Sequence, residues 1–166
     1  MTSEETTATG PALLTPIEAR ILGSLVEKEA TTPEAYPLTA NAVVLACNQK
    51  SNRDPMLELE PGEVGHALRE LEGRGLVRSV HGARAQRYEH RFAAVYSLTQ
   101  PQQAVLSVML LRGPQTAGEL RINAERWYRF ADISSVEAFL DELQERSAEK
   151  GGPLVVQLPR APGARE

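Results

Sequence analysis

The sequence predicts a mainly α chain with small β-hairpins, an α+β fold made of two similar halves. Three observations predict it. An apolar-periodic segment recurs: Leu14, Thr15, Ile21, Leu22, Leu25 and Val26 fall on Leu98, Thr99, Val105, Leu106, Met109 and Leu110 at a shift of 84 positions. A second segment recurs at a shift of 72, with Val64, Leu68 and Leu71 falling on Val136, Leu140 and Leu143. Each of these runs into an apolar pair, Leu76-Val77 or Leu154-Val155, and then a polar, glycine-containing stretch. Helix, helix, helix, strand, turn is the order of a winged helix-turn-helix, so the expectation is two such domains in tandem.

The first helix opens at Thr15 as N-cap, with Pro16 at N1 and Glu18 at N3 completing a capping box. Positions 17, 21, 22, 25 and 26 form one apolar stripe. Pro33 and Pro37 break the chain around Tyr36, and a second helix starts near Thr39 and carries Ala42, Leu45 and Ala46. Residues 48–55 are polar and turn-prone, and 56–59 are expected as a short strand with Leu57 and Leu59 on one face. Pro61 opens a third helix bearing Val64, Ala67, Leu68 and Leu71, which Gly73 and Gly75 end. Residues 76–80 and 86–89 read as two strands turned by His81-Gly82-Ala83: the wing.

The second half repeats the plan. Thr99 caps its first helix and Gly113-Pro114 ends it. Thr116 with Glu119, and Ser134 with Glu137, are expected capping boxes. Phe139 joins Val136, Leu140 and Leu143 on a buried stripe, Gly151-Gly152-Pro153 makes a turn, and 154–158 is an expected strand. Gly163-Ala164-Arg165 echoes Gly82-Ala83-Arg84, but no return strand follows before Glu166. The organisation is a disordered tail over 1–13, a first domain over 14–92, a linker over 93–97 and a second domain over 98–166.

Composition narrows the function classes. The 166 residues are 42% hydrophobic and 24% charged, ordinary for a soluble globular protein, and the apolar runs are far too short to span a membrane. The Thr/Glu-rich start has neither the basic nor the apolar region of a signal peptide. A single cysteine, Cys47, excludes an internal disulfide and fits a reducing, cytoplasmic compartment. The net charge of -4 and pI near 5.5 lack the basic excess of a dedicated DNA binder.

Several runs resemble one family. Thr15-Pro16-Ile17-Glu18-Ala19-Arg20, Glu27-Lys28-Glu29-Ala30-Thr31-Thr32-Pro33, Tyr36-Pro37-Leu38 and above all Ala46-Cys47-Asn48-Gln49-Lys50-Ser51-Asn52-Arg53-Asp54-Pro55 are similar to the YceH-like bacterial proteins. Tyr88-Glu89-His90-Arg91-Phe92 and Leu111-Arg112-Gly113-Pro114-Gln115-Thr116 carry the same resemblance, which covers about residues 13–165. It implies a tandem winged-helix fold without an assigned activity, in chains that continue past the second wing.

The third helices are the groove readers of a helix-turn-helix. Their exposed charges are Glu63, Arg69, Glu70 and Glu72 in one copy, and Glu137, Asp141, Glu142, Glu145 and Arg146 in the other. Such acidic faces repel phosphate and read more simply as solvated surface. Basic residues collect on the first wing, where Arg78, Arg84, Arg87 and Arg91 stand against Glu89 with His81 and His90 beside them. They suit a phosphate backbone, an acidic protein surface or plain solvation. Tyr88 is expected to pack under the wing. Asn48, Gln49, Lys50, Ser51, Asn52 and Arg53 suit either turn-holding hydrogen bonds or contact with a partner. Arg126-Trp127-Tyr128-Arg129-Phe130 carries the residue types of interface hot spots and of single-strand binders. Phe130 is expected to cover the core, and Trp127 is open between core and contact.

His66, His81 and His90 have no ligand spacing, and there is neither a phosphate loop nor a nucleophile elbow. No catalytic residue, cofactor, metal, membrane or small-molecule substrate is expected, and Cys47 reads as a small core residue. The expected function is a protein-interaction or scaffold module that grips a protein partner or itself. A homodimer through the open edge of 154–158 is the expected self-association. The alternative is a DNA-binding regulator that contacts phosphates weakly through the wing and the 48–53 loop.

Overall fold

Three threonines open helices by the same device in the computed structural model, which describes residues 14–81 and 85–159. The element order is α1 (Pro16–Thr31), a short 3-10 turn (Pro33–Ala35), β1 (Leu38–Thr39), α2 (Ala40–Cys47), α3 (Pro61–Gly73), β2 (Val77–His81) and β3 (Gln86–His90). Then follow α4 (Phe92–Tyr96), α5 (Gln100–Arg112), α6 (Ala117–Asn123), α7 (Ile133–Gln144) and a 3-10 turn (Ala148–Lys150). Thr15, Thr99 and Thr116 each accept from the backbone N–H three residues on, while Glu18, Gln102 and Glu119 reach back to the cap. These satisfy donors that a helix start leaves orphaned.

The chain is mainly helical with one small antiparallel sheet, ordered β1-β3-β2. Tyr88 faces Leu38 on one side and Ser79 on the other, and it packs on the first core as expected. That core gathers Ile21, Leu22, Leu25, Val43, Val64, Leu68, Leu71 and Leu76. A second core gathers Val105, Val108, Leu111, Leu120, Trp127, Phe130, Val136 and Leu143.

The two cores meet where α1 packs on α5. Val26 of α1 belongs to the second core, and Leu110 of α5 packs against both. Residues 20–27 of α1 are all buried, so this helix lies inside the molecule. Gly23 marks the crossing: a Cβ there would lie 2.8 Å from Leu111 Cγ.

Several expectations are corrected. Residues 56–59 form no strand, because Asn48 takes both backbone groups of Leu59: its Oδ1 accepts from Leu59 N at 2.7 Å and its Nδ2 donates to Leu59 O at 3.0 Å. Within the 93–97 segment, residues 93–96 are helical in α4 and Ser97 is its C-cap, and buried Phe92 meets Tyr96 edge-on at 5.6 Å. The cap of α7 is Asp132, which accepts from Ser135 N at 2.8 Å, so Ser134 falls inside the helix and makes no box with Glu137. Leu140 is only partly buried, whereas Val136 and Leu143 are fully so. Residues 154–158 pair with no strand among the described residues. Leu154 N donates to Leu143 O at 3.0 Å, and Leu154 and Val155 pack on the second core. Gly82, Ala83 and Arg84, the tail over 1–13 and Gly163-Ala164-Arg165 lie outside the described residues.

Candidate interaction site and the buried charge network

The polar run after α2 turns inward. Gln49 accepts from Lys28 Nζ at 2.8 Å and donates to Ser51 O at 2.9 Å. Asn52 sits at φ 58°, a left-handed conformation that asparagine tolerates, and its Oδ1 accepts from Arg112 at 2.8 Å. Asp54 N donates to Leu111 O at 2.9 Å, so the run is fastened to the end of α5. Lys50 and Ser51 are exposed. This run is mainly a structural clamp, with Lys50 left for outside contact.

Arg53 is the decisive member. Its side chain is fully buried and forks onto Glu27 of α1, with Nη2 to Oε1 at 2.6 Å and Nη1 to Oε2 at 3.1 Å. Its Nε donates to Ala46 O at 3.1 Å. Arg126, from the turn after α6, donates to the same Glu27 Oε2 at 3.0 Å. One carboxylate thus binds the loop of the first half and the second half together. Burial alone would raise the Glu27 pKa. The hydrogen bonds and charge of Arg53, helped by Lys28 and Arg126, outweigh that and hold it below the usual carboxylate value. Arg20 lies beneath, donating to Cys47 O at 2.8 Å and to Pro55 O. Burial, with Arg53 nearby, lowers its pKa. Cys47 is buried in the first core as expected, and burial pushes its thiol up to about 11.

The wing arginines divide. Arg78 is ion-paired with Glu89, its partner in the β2–β3 register. Arg87 donates to Pro37 O at 3.0 Å, and Arg91 is exposed beside α4. Arg84 lies outside the described residues. His90 Nδ1 accepts from Phe92 N at 3.2 Å, and its Nε2 faces Glu29 Oε1 at 2.7 Å. That hydrogen bond lowers the Glu29 pKa against the effect of burial.

In the second half Phe130 is buried as expected, and Trp127 proves to be a core residue. Arg129 is exposed, 3.8 Å from Glu125. Arg121, Ile122, Glu125, Arg129, Phe130 and Ala131 line an open groove of about 480 Å³. Arg121 donates to Ala131 O at 3.2 Å across it.

Two features went unread in the sequence. One is Glu27, whose partners are 26 and 99 residues away. The other is a third repeat. At a shift of 77, Thr39, Ala40, Val43, Leu45 and Cys47 fall on Thr116, Ala117, Leu120, Ile122 and Ala124. Val43, Cys47, Leu120 and Ala124 are buried, while Leu45 and Ile122 are 66% and 70% exposed. The Thr-Ala starts were the available signal.

Residues 14–164 match the family described as protein of unknown function, DUF480. The chain belongs to this family. A UPF0502 protein of Paracidovorax citrulli is 63% identical over 153 residues, covering 92% of this chain and 66% of the relative. A UPF0502 protein of Albidiferax ferrireducens is 57% identical over 159 residues, covering 96% and 70%. One from Delftia acidovorans is 60% identical over 153 residues, covering 92% and 68%. The chain spans about two thirds of the length of these bacterial relatives. Among the described residues no helix is long and apolar enough to cross a membrane, and no group of three or more His, Cys, Asp or Glu is placed to hold a metal.

Proposed function

We propose that this chain is a non-catalytic protein-interaction module, built from two tandem winged-helix units of the YceH-like kind. Three helices followed by the β2–β3 pair support that reading in the first half, and α5, α6 and α7 support it in the second. The observation that carries the functional reading is the use of the basic side chains. Arg53 and Arg126 pair with Glu27 and Arg78 with Glu89, while Arg112 and Arg87 keep their charge and give hydrogen bonds to Asn52 and Pro37. Phosphate binding needs cations free to displace counterions. Of the two cations of the 48–53 loop Arg53 is committed inside and Lys50 is exposed, and the third helices turn Glu63, Glu70, Glu72, Glu137, Asp141 and Glu142 to solvent. Such a surface suits protein contact better than a duplex.

The test is a titration against random duplex DNA at low and moderate salt. No binding at low salt is the expected result. Binding that falls steeply with salt would overturn the reading in favour of a regulator acting through Lys50, Arg84, Arg91 and the wing.

A further inference from the structure

Of the three histidines, His66 and His81 are exposed, whereas the His90 side chain is only 6% exposed and has both ring nitrogens engaged. A backbone N–H can only donate, so the Phe92 bond at 3.2 Å requires a bare lone pair on Nδ1. The ring's single proton then sits on Nε2 and is donated to Glu29 Oε1 at 2.7 Å. The backbone N–H of His90 donates to the Tyr36 hydroxyl oxygen, also at 2.7 Å. One ring therefore ties the end of β3 to the last turn of α1 and to the first residue of α4.

The start of α4 has little else to hold it. The helix has five residues, and its N-cap, Arg91, makes no side-chain bond to the first turn. Helices this short do not persist by themselves. Phe92 is buried in the second core, and Tyr96 packs against both cores. The helix is thus the covalent passage from the wing into the second half. A second proton on His90 has only Nδ1 to bind. There it sets an N–H of the ring against the N–H of Phe92, two donors face to face, while the bond from Nε2 to Glu29 becomes charge-assisted. The proton therefore binds best to the state in which Phe92 N–H has been let go, and acid populates that state. The groups around the ring set the balance. Glu29 of α1 attracts the second proton. Tyr36 stays neutral, since burial raises its pKa. On its other side the ring borders an open hollow of about 310 Å³ shared with Arg78, Glu89, Arg91, Ala93 and Ala94. Arg78 and Glu89 pair with each other there, and Arg91 opposes the proton. We propose that His90 is a protonation-sensitive latch between the wing and the second half. Neutral, it fastens α4 through Phe92; protonated on both nitrogens, it stays with α1 and releases α4. The latch is independent of what the chain binds.

Nuclear magnetic resonance on the full, isotope-labelled chain tests it between about pH 8 and about pH 5. Ring nitrogen shifts report which nitrogen of His90 carries the proton, with His66 and His81 as exposed references. At the alkaline end Nδ1 of His90 is unprotonated. On acidification the exchange protection of the Phe92 amide falls at least ~10-fold, as in a local opening, and its midpoint coincides with that of the His90 ring. Glu29→Gln keeps a hydrogen-bond acceptor but removes the attraction, so both midpoints move together to lower pH. His90→Asn supplies an oxygen that reaches the N–H two residues on and takes no proton, so Phe92 protection becomes flat across the range. A proton on Nδ1 at the alkaline end, a His90 ring that does not titrate in this range, or Phe92 protection unmoved while the ring titrates overturns the proposal. So does an equal acid loss in His90→Asn, or a midpoint that Glu29→Gln leaves in place. The wild-type readings decide the matter even where a variant folds poorly.

Discussion

Replacing Glu27 by Gln tests the junction of the two halves. The change keeps the shape of the side chain and removes its charge. Arg53 then remains with a fully buried guanidinium and no counter-charge, held by Ala46 O, Asn52 O and an amide. Removing one partner of a buried pair typically costs about 3–5 kcal/mol, against a total stability on the order of 5–15 kcal/mol. Arg126→Ala supplies the contrast. Its side chain is half-exposed, and Glu27 keeps both bonds to Arg53, so the loss should stay under about 1 kcal/mol. Urea unfolding followed by circular dichroism measures both. The pH dependence carries the sign. Because the folded-state pKa of Glu27 is depressed, its stabilisation is fully present above the unfolded value of about 4.3 and is lost as pH falls through the folded value. Glu27→Gln should flatten the stability profile over that acidic window. A loss below about 1 kcal/mol for Glu27→Gln, or an unchanged acid profile, would refute the assignment of Glu27 as the paired buried charge.

The helix crossing and the third-helix stripe make two further predictions. Gly23→Ala would ordinarily gain about 1 kcal/mol in a helix interior, but the added Cβ meets Leu111 Cγ at 2.8 Å and Leu110 Cβ at 3.2 Å. Overpacking of about 1–3 kcal/mol should win, lowering the urea midpoint, and a raised midpoint would show that α1 and α5 are not so closely set. Leu143→Ala should cost about 2–5 kcal/mol and Leu140→Ala clearly less, since only Leu143 is fully buried. Equal losses in paired denaturation curves would contradict that placement.

What could be read from the sequence was what local chemistry decides. The Thr15, Thr99 and Thr116 caps, the Pro61 start and the Gly75 stop, at φ 79°, follow from backbone donors and φ preferences within a few residues. Apolar spacing placed Val64 and Val136, and Leu71 and Leu143, in their cores. Misreadings came where a distant group decided. Residues 56–59 alternate like a strand, but Asn48 claims the backbone that a neighbouring strand would have paired. The 48–53 run is polar enough for a surface loop, yet Glu27 draws Arg53 inside, and no pattern within the run announces a partner 26 residues upstream. At the candidate site, Arg126, Trp127 and Arg129 were singled out together, but burial separates them: one clamps, one packs and one reaches solvent. Ile122 was passed over because a lone exposed aliphatic residue is common. It lines the open groove together with Arg121, Phe130 and Ala131.

The junction also explains why a repeated sequence need not make two independent domains. An apolar crossing alone leaves rotation between α1 and α5 weakly specified, because dispersion is non-directional. Glu27 adds direction. Its carboxylate takes two bonds from Arg53 of the 48–53 loop, and Arg126 from the turn after α6 adds a third. The same relation runs the other way: Asn52 and Asp54 of the first half hold Arg112 and Leu111 at the end of α5. Each half thus binds the end of the other's first helix through polar groups with narrow geometric tolerance. Local repeats supply two cores, and this reciprocal polar exchange sets the angle between them.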